Sequence, residues 1–344
     1  MKMNPLSIVS IGLISLFISN LALAVDVPPP KISLAGKKVL WLGDDITFVG
    51  NYVALVQYYL LKTYPTDKFD IISIGLSSET ASGLSEKASP YPRPNINDRL
   101  QRALELTKPD IVIACYGMND GIYQPQTEAG MKAFENGMQK MIAACHAAKA
   151  QVVLLTPPPF DKATARNRRA ATATDFGLKS PYEDYDSILA DYVKWEKSLP
   201  ASEATVIDLH GAINTYIASQ RQSNPHFVVS KQGVTFNRLG HLLIAETILK
   251  DLGVPVHFED DLAAELKKIS PDTLWRLVYK QRAVRSNAWL PYVGYTLDAS
   301  QKTDSVELAE QLNVKYQARI DAARISTQSP AATQEPAPDE AKEE

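Results

Sequence analysis

Four short polar segments of this chain contain residues that could carry out chemistry. They are residues 43–50 (GDDITFVG), 75–80 (GLSSET), 117–120 (GMND) and 232–241 (QGVTFNRLGH). The first holds Asp44 and Asp45, and a carboxylate can act as a nucleophile. Together with Glu79 and Asp120, these carboxylates could also form an oxygen-rich site for Mg²⁺ or Ca²⁺. A carboxylate has no hydroxyl that a histidine base could activate, so Asp45 does not predict serine-type acyl transfer.

The elements around these segments alternate between strands and helices. Strands are predicted at residues 38–42, 69–76, 110–116, 151–156 and 205–209, and helices at residues 51–63, 97–107, 128–147, 182–198 and 237–252. Strands that are apolar at consecutive positions are buried on both faces, as in a parallel sheet between two layers of helices. The order therefore predicts a three-layer α/β/α sandwich with a five-stranded parallel sheet. Ligands bind such sheets at the carboxyl ends of the strands.

In this order, the four segments resemble the sequence blocks of the SGNH (GDSL-type) hydrolases, whose fold is flavodoxin-like. Residues 43–47 resemble the block whose third residue is the nucleophilic serine, and residues 116–123 (YGMNDGIY) resemble the third block of secreted bacterial members. Residues 75–80 resemble the second block, with Ser78 where glycine is usual. Residues 232–241 resemble the last block, which has Asp-x-x-His before a closing helix. The resemblance covers about residues 37–252 and implies ester hydrolysis of carbohydrate or acyl substrates.

The resemblance also implies a role for single residues, and the three triad positions are substituted. The serine, aspartate and histidine positions hold Asp45, Gln232 and Thr235. The groups that would stabilise an oxyanion are kept, namely the Asn119 amide and backbone N–H groups between Gly75 and Ser78. Loss of a triad costs about 10⁶-fold in turnover in proteases. The sequence therefore predicts a catalytically impaired protein, with a small-molecule or carbohydrate ester as its ligand.

Two other functions stay open at the level of sequence. The chain could be an active hydrolase with non-standard chemistry, in which Asp45 is the nucleophile or a metal assists. It could instead be a scaffold that binds partners through its C-terminal helices.

Several polar residues have structural interpretations. Asp45 is expected to cap a helix, Asp44 to brace the loops, and His210 and His241 to pack. Among the histidines, His226 is the one to test as a surrogate base.

The N-terminus predicts export. Residues 1–24 have an early Lys2, an apolar run and an Ala-Leu-Ala cleavage site, which is typical of a secretory signal. We therefore expect a secreted or periplasmic protein. No later segment has the roughly 18 uninterrupted apolar residues of a spanning helix, so no membrane span is expected after cleavage.

Composition narrows the remaining possibilities. The formal net charge of −3, without a long basic run, gives no reason to expect nucleic acid as a partner. Cys115 and Cys145 are too few for a disulfide framework, and no metal or cofactor motif predicts a bound group. The predicted units are the hydrolase-type domain at 36–255 and a helical appendage at 256–325, with helices at 260–285 and 305–325. A disordered tail is predicted at 326–344.

Overall fold

The computed structural model describes residues 30–294 and 303–326 of the chain. The predicted signal segment at 1–24 and the predicted tail beyond residue 326 lie outside these residues. Within the described part, no helix is long and apolar enough to cross a membrane.

A five-stranded parallel sheet forms the centre of the molecule, as predicted. Its strands are β1 (Lys38–Gly43), β2 (Asp70–Ser73), β3 (Ile111–Cys115), β4 (Gln151–Leu155) and β5 (Thr205–Ile207), in the order β2-β1-β3-β4-β5. Every residue of β3 is buried, because both faces of this central strand are covered. Leu40 of β1 lies opposite Ile72 on one side and Val112 on the other. The register places the ends of β1, β2 and β3 at one edge of the sheet.

Seven helices complete the sandwich. They are α1 (Asp45–Val49), α2 (Asn51–Thr63), α3 (Leu100–Thr107), α4 (Glu128–Ala147), α5 (Tyr185–Ser198), α6 (Leu209–Ser223) and α7 (Arg238–Asp251). They contact one another in two groups, with α2, α6 and α7 in one and α3, α4 and α5 in the other. Between α6 and α7, a small antiparallel hairpin joins β6 (Ser230–Lys231) to β7 (Thr235–Phe236).

The sequence did not predict α6, because the fifth strand was extended to residue 209. The side chain of Asp208 accepts a hydrogen bond from the Gly211 N–H at 2.8 Å and so caps a helix at that point. His210 consequently lies in the first turn of α6 and not at a strand end. Its Nε2 lies 3.1 Å from Asp186 Oδ1, outside the loops that follow β1, β2 and β3.

The appendage consists of α8 (Leu262–Ile269), α9 (Thr273–Tyr292) and α10 (Val306–Ser326). The single helix predicted at 260–285 is wrong, because Pro271 interrupts it and Asp272 caps α9. Residues 289–295 (WLPYVGY) form an aromatic stretch that begins within α9, and its last residue lies outside the described part. Trp289 is buried and donates from Nε1 to Glu310 of α10 at 2.6 Å. This tryptophan therefore holds the appendage together.

Three arginines join the appendage to backbone carbonyls of the sandwich. Arg282 donates to the carbonyl of Val49 at the end of α1, at 2.8 Å. Arg285 donates to the carbonyl of Ile71 in the edge strand β2, also at 2.8 Å. From α10, the Arg324 side chain donates to carbonyls in residues 64–67, just after α2. The appendage thus satisfies acceptors that helix ends and a sheet edge leave open.

Both cysteines are free and buried in the sandwich. Cys115 ends β3 and Cys145 lies on α4. Burial raises the pKa of Cys145 to about 12, so this thiol stays protonated at neutral pH.

Candidate functional site

The site begins where β1 turns into α1. Asp44 is the N-cap of this helix, and its Oδ1 accepts a hydrogen bond from the Ile46 N–H at 3.0 Å. The capping role expected for Asp45 therefore belongs to Asp44, since a cap must precede the first helical residue. Burial, and next the neighbouring Asp45 carboxylate, raise the pKa of Asp44. Asp45, as the first helical residue, is free to point at the loop after β2.

The carboxylate of Asp45 is bound by the groups that the family resemblance assigns to an oxyanion. Its Oδ2 accepts hydrogen bonds from the Ser78 N–H at 2.9 Å and from Asn119 Nδ2 at 2.8 Å. Its Oδ1 accepts a hydrogen bond from the hydroxyl of Ser77. The Asp45 side chain therefore occupies the donors that the resemblance assigns to a substrate oxygen.

The loop after β2 presents its N–H group through an unusual backbone conformation. Ser78 has a φ of 66°, in the left-handed region that favours glycine. The alignment of Ser78 with the usual glycine of the second block stays a prediction, and this backbone conformation is compatible with it. The Ser78 carbonyl accepts a hydrogen bond from Arg93, whose guanidinium is held by two 2.7 Å hydrogen bonds to Glu86. The buried ion pair between Arg93 and Glu86 thus holds the loop in place.

Gly75, the third expected oxyanion residue, has a different place in the structure. None of the hydrogen bonds described for Asp45 comes from it. A Cβ at this position would lie 2.5 Å from the backbone carbon of Thr47 in α1. The absence of a side chain therefore lets α1 pack directly on the loop that carries Ser78.

Asn119 is held in one orientation by its neighbours. Its Oδ1 accepts a hydrogen bond from the Tyr123 hydroxyl at 2.8 Å, which leaves Nδ2 to donate to Asp45. The next residue, Asp120, accepts backbone hydrogen bonds from Ala81, Ser82 and Gly117. Asp120 therefore ties the loop after β3 to the loop after β2.

The carboxylates considered for a metal site are engaged within the protein. Glu79 accepts two hydrogen bonds from Arg99, at 2.6 and 2.7 Å, and one from the Tyr116 hydroxyl at 2.7 Å. Asp120 is held by three backbone N–H groups. Across residues 30–294 and 303–326, no group of three or more His, Cys, Asp or Glu side chains is placed to hold a metal ion. The metal-assisted alternative therefore has no geometric support.

The other two triad positions lie on the hairpin between α6 and α7. Gln232 is exposed in the turn, with a φ of 55°. Thr235 is in β7 and lines the same cavity as Asp45. Neither side chain can accept a proton as a general base at neutral pH. The structure thus brings Thr235 to the site and leaves Gln232 at its edge.

A cavity of about 80 Å³ lies beside Asp45. Its polar lining is Asp44, Asp45, Thr235 and His241, and its apolar lining is Ile46, Val49, Met118, Tyr123, Leu178, Val234 and Phe236. The space is large enough for a group of a few heavy atoms.

His241, for which the sequence predicted only packing, reaches this cavity from the first turn of α7. It is 2% exposed and stacks on Tyr52 with an interplanar angle of 6°. Within the described part of the chain, its Nδ1 has no hydrogen-bond partner. Burial, with a smaller contribution from Arg282, lowers the pKa of His241 to about 4. The imidazole is therefore neutral at pH 7 and a weak base, while His226 is exposed and outside the cavity lining.

The sequence matches the profile of a known family. The chain belongs to the GDSL-like lipase/acylhydrolase family, whose sequence profile matches residues 41–233. This match covers more than half of the chain and confirms the family that the four polar segments resemble. No curated protein matched the sequence.

Comparison with solved structures gives matches at low sequence identity. A gut microbial diltiazem-metabolizing enzyme superposes with a TM-score of 0.52 and 17% identity over 64% of this chain. The chain spans about half of that enzyme, 48% of its length. An acetylxylan esterase from Geobacillus stearothermophilus has a TM-score of 0.44 and 19% identity, covering 65% of this chain and 96% of its own. At these identities the likeness concerns the fold alone.

Proposed function

We propose that this chain is a secreted or periplasmic, ligand-binding member of the GDSL-like family that does not transfer acyl groups. One observation carries the proposal: the Asp45 carboxylate is bound by both Ser78 N–H and Asn119 Nδ2. In an ester hydrolase these donors stabilise the oxyanion, and one such donor is worth about 2.7–4 kcal/mol. Here an ester carbonyl would have to displace a carboxylate of the protein itself.

The missing base points in the same direction. Thr235 and Gln232 replace the histidine and its orienting aspartate. His241 lies at the cavity but is neutral, with a pKa of about 4, and would take up a proton poorly. No hydroxyl in the described part of the chain is placed by a hydrogen bond against this imidazole.

The alternative with Asp45 as a nucleophile has less support from the geometry. Both of its oxygens accept hydrogen bonds, and these stabilise the carboxylate and lower its reactivity. Attack would also require the carboxylate to leave the donors that must then stabilise the product of the attack. Our proposal is therefore ligand binding and not acyl transfer.

Restoring the triad tests this proposal. The variant D45S/Q232D/T235H should hydrolyse p-nitrophenyl acetate at least about 10²-fold faster than the wild type, since it regains a nucleophile and a general base. The wild type should stay at the buffer rate. The matched control D45S frees the donors without supplying a base and should remain close to the wild type.

The opposite result is equally clear. Turnover by the wild type that disappears in D45A would contradict the proposal and support a carboxylate nucleophile. Ligand binding is measured separately, by calorimetry with acetylated oligosaccharides, because the sequence resemblance suggests a carbohydrate or small-molecule ester as the ligand.

A further inference from the structure

The substitution at position 45 reverses the hydrogen-bonding character of the site. A serine there would leave the Ser78 N–H and the Asn119 amide free to donate to a ligand. With Asp45 in place, these donors are used internally, and the polar residues that line the cavity include the carboxyl groups of Asp44 and Asp45. The site has changed from one that donates hydrogen bonds to one that accepts them.

Asp44 adds a second acceptor that the protein does not satisfy. It is 1% exposed, and the one hydrogen bond described for its carboxyl group is the 3.0 Å contact from the Ile46 N–H to Oδ1. Its Oδ2 accepts no hydrogen bond from the residues that the structure describes. Because Asp44 lines the cavity, its Oδ2 can accept a hydrogen bond from a ligand there. Nδ1 of His241, on the cavity wall, also lacks a described partner.

The charges around the cavity indicate which kind of donor fits. Asp44 and Asp45 both line it, and neither forms an ion pair within the described residues. The nearby Arg93 is held by Glu86, and Arg99 is held by Glu79. Arg282 lies behind His241 and donates to the Val49 carbonyl. Two adjacent carboxyl groups therefore lack a counter-ion. Burial, and next the Asp45 carboxylate, raise the pKa of Asp44, and a cation bound between the two groups would lower that pKa again and favour the ionised form of both.

We propose that this cavity binds the protonated primary amine of a small ligand, with Asp44 and Asp45 as its acceptors. An ammonium group has three donors and no acceptor. It can donate to Oδ2 of Asp44 and to the remaining lone pairs of the Asp45 oxygens, each of which already accepts a hydrogen bond within the protein. The ring of Tyr123 and the side chain of Met118 provide an apolar wall for the carbon next to the nitrogen. The volume of about 80 Å³ admits the amine and a short carbon stem, whether from a free alkylamine or from an amino sugar.

This inference rests on the part of the proposed function in which the cleft binds a ligand, and not on the absence of turnover. The test compares amines with neutral partners of similar shape in calorimetric titrations: ethylammonium with ethanol, and glucosamine with glucose. We expect at least about tenfold tighter binding of the amine in at least one pair, because only the amine forms an ion pair with the carboxylates. The pair that shows the difference identifies the source of the amine.

Substitutions locate the site. D44N and D45N keep the shape of the side chains, and each should weaken amine binding by about tenfold or more. The matched control D191N removes a carboxylate from an exposed position on α5 and should leave binding unchanged. Melting curves establish that the variants are folded.

Equal affinity for amine and neutral partner, no binding of either amine, or unchanged binding in folded D44N would overturn the inference. The ester assay is independent of these titrations. Amine binding together with wild-type ester turnover would contradict the proposed function and leave the inference intact. No amine binding and no turnover would do the reverse.

Discussion

At the scale of single residues, the position of Asp45 decides how this site is understood. The sequence resemblance predicts that it stands where the family has a serine. The structure adds that its carboxylate is bound by Ser77, Ser78 and Asn119, so the residue has a place of its own. Charge-assisted hydrogen bonds of this kind contribute about 1.5–3 kcal/mol each. Asp45 therefore joins the loops after β1, β2 and β3.

Ser78 allows a prediction about backbone strain. Its φ of 66° is costly for a residue with a Cβ, and glycine adopts it without that penalty. S78G should therefore stabilise the protein by about 0.5–1 kcal/mol. This net value already subtracts the cost of the larger unfolded-state entropy that glycine brings. Urea denaturation measures the change. The control S202G, at an exposed turn position with an ordinary φ, should be neutral or destabilising. Destabilisation by S78G would show that its side chain matters more than its backbone.

At the scale of elements, the contact between α9 and β2 explains why the appendage belongs to the fold. Arg285 donates to the Ile71 carbonyl, and its ion pairs reach Asp70 on β2 and Glu310 on α10. One side chain thus joins three elements. Since β2 is the edge of the sheet, this contact also covers backbone groups that could pair with another chain.

Replacing this arginine should weaken the whole protein. We expect R285M to lose about 2–3 kcal/mol of unfolding free energy, less than for a fully buried pair because Asp70 and Glu310 are partly exposed. Urea denaturation followed by tryptophan fluorescence should still show one transition. R276M, on the exposed side of α9, is the matched control and should change stability by less than about 0.5 kcal/mol. Separate transitions for appendage and sandwich would contradict this interpretation.

Much of the element order could be predicted from the sequence, for physical reasons. The run IVIAC of β3 is apolar at every position, and such a run has few folded alternatives to a strand covered on both faces. Helix α4 has the predicted bounds, because Thr127 caps it and apolar residues recur along one side. Helix α6 was not predicted, because apolar residues extended the predicted fifth strand past Asp208, which is the N-cap of this helix.

The site was less predictable. The positions of Asp45, Ser78 and Asn119 could be named from their segments. The hydrogen bond between Asp45 and Asn119, however, joins residues 74 positions apart and depends on the register of β1 and β3. The role of His241 depends likewise on how α7 packs beside α2. No pattern in the sequence reports either contact.

At the scale of the whole molecule, one buried carboxyl group should make stability depend on pH. Glu196 on α5 is fully buried, and neither of its oxygens has a partner among the described residues. Burial, and then the carboxylates of Asp120 and Asp208, raise its pKa well above the ordinary value of 4.5. The folded state therefore holds this proton more tightly than the unfolded state.

The sign of the effect follows from linkage. Because the folded pKa is the higher one, the contribution of protonated Glu196 to stability is complete below about pH 4.5 and is lost as the pH rises through the folded pKa. E196Q cannot ionise, so its unfolding free energy should fall less than that of the wild type between pH 5 and 9, roughly, in urea titrations. The exposed control D191N should follow the wild type. An identical slope for E196Q and wild type would refute the assignment.

The Asp45 carboxylate, held by hydrogen bonds at the end of β1, is comparable with a bound reaction product. An esterase holds a carboxylate in a similar arrangement after each hydrolysis, before the released acid dissociates. In this chain the corresponding carboxylate is the Asp45 side chain, which is covalently attached to the backbone and therefore stays in place. The substitution D45G would remove this side chain and leave a space that fits a free formate or acetate ion. Such an ion, added in solution, should restore the rigidity that the loops lose with the side chain.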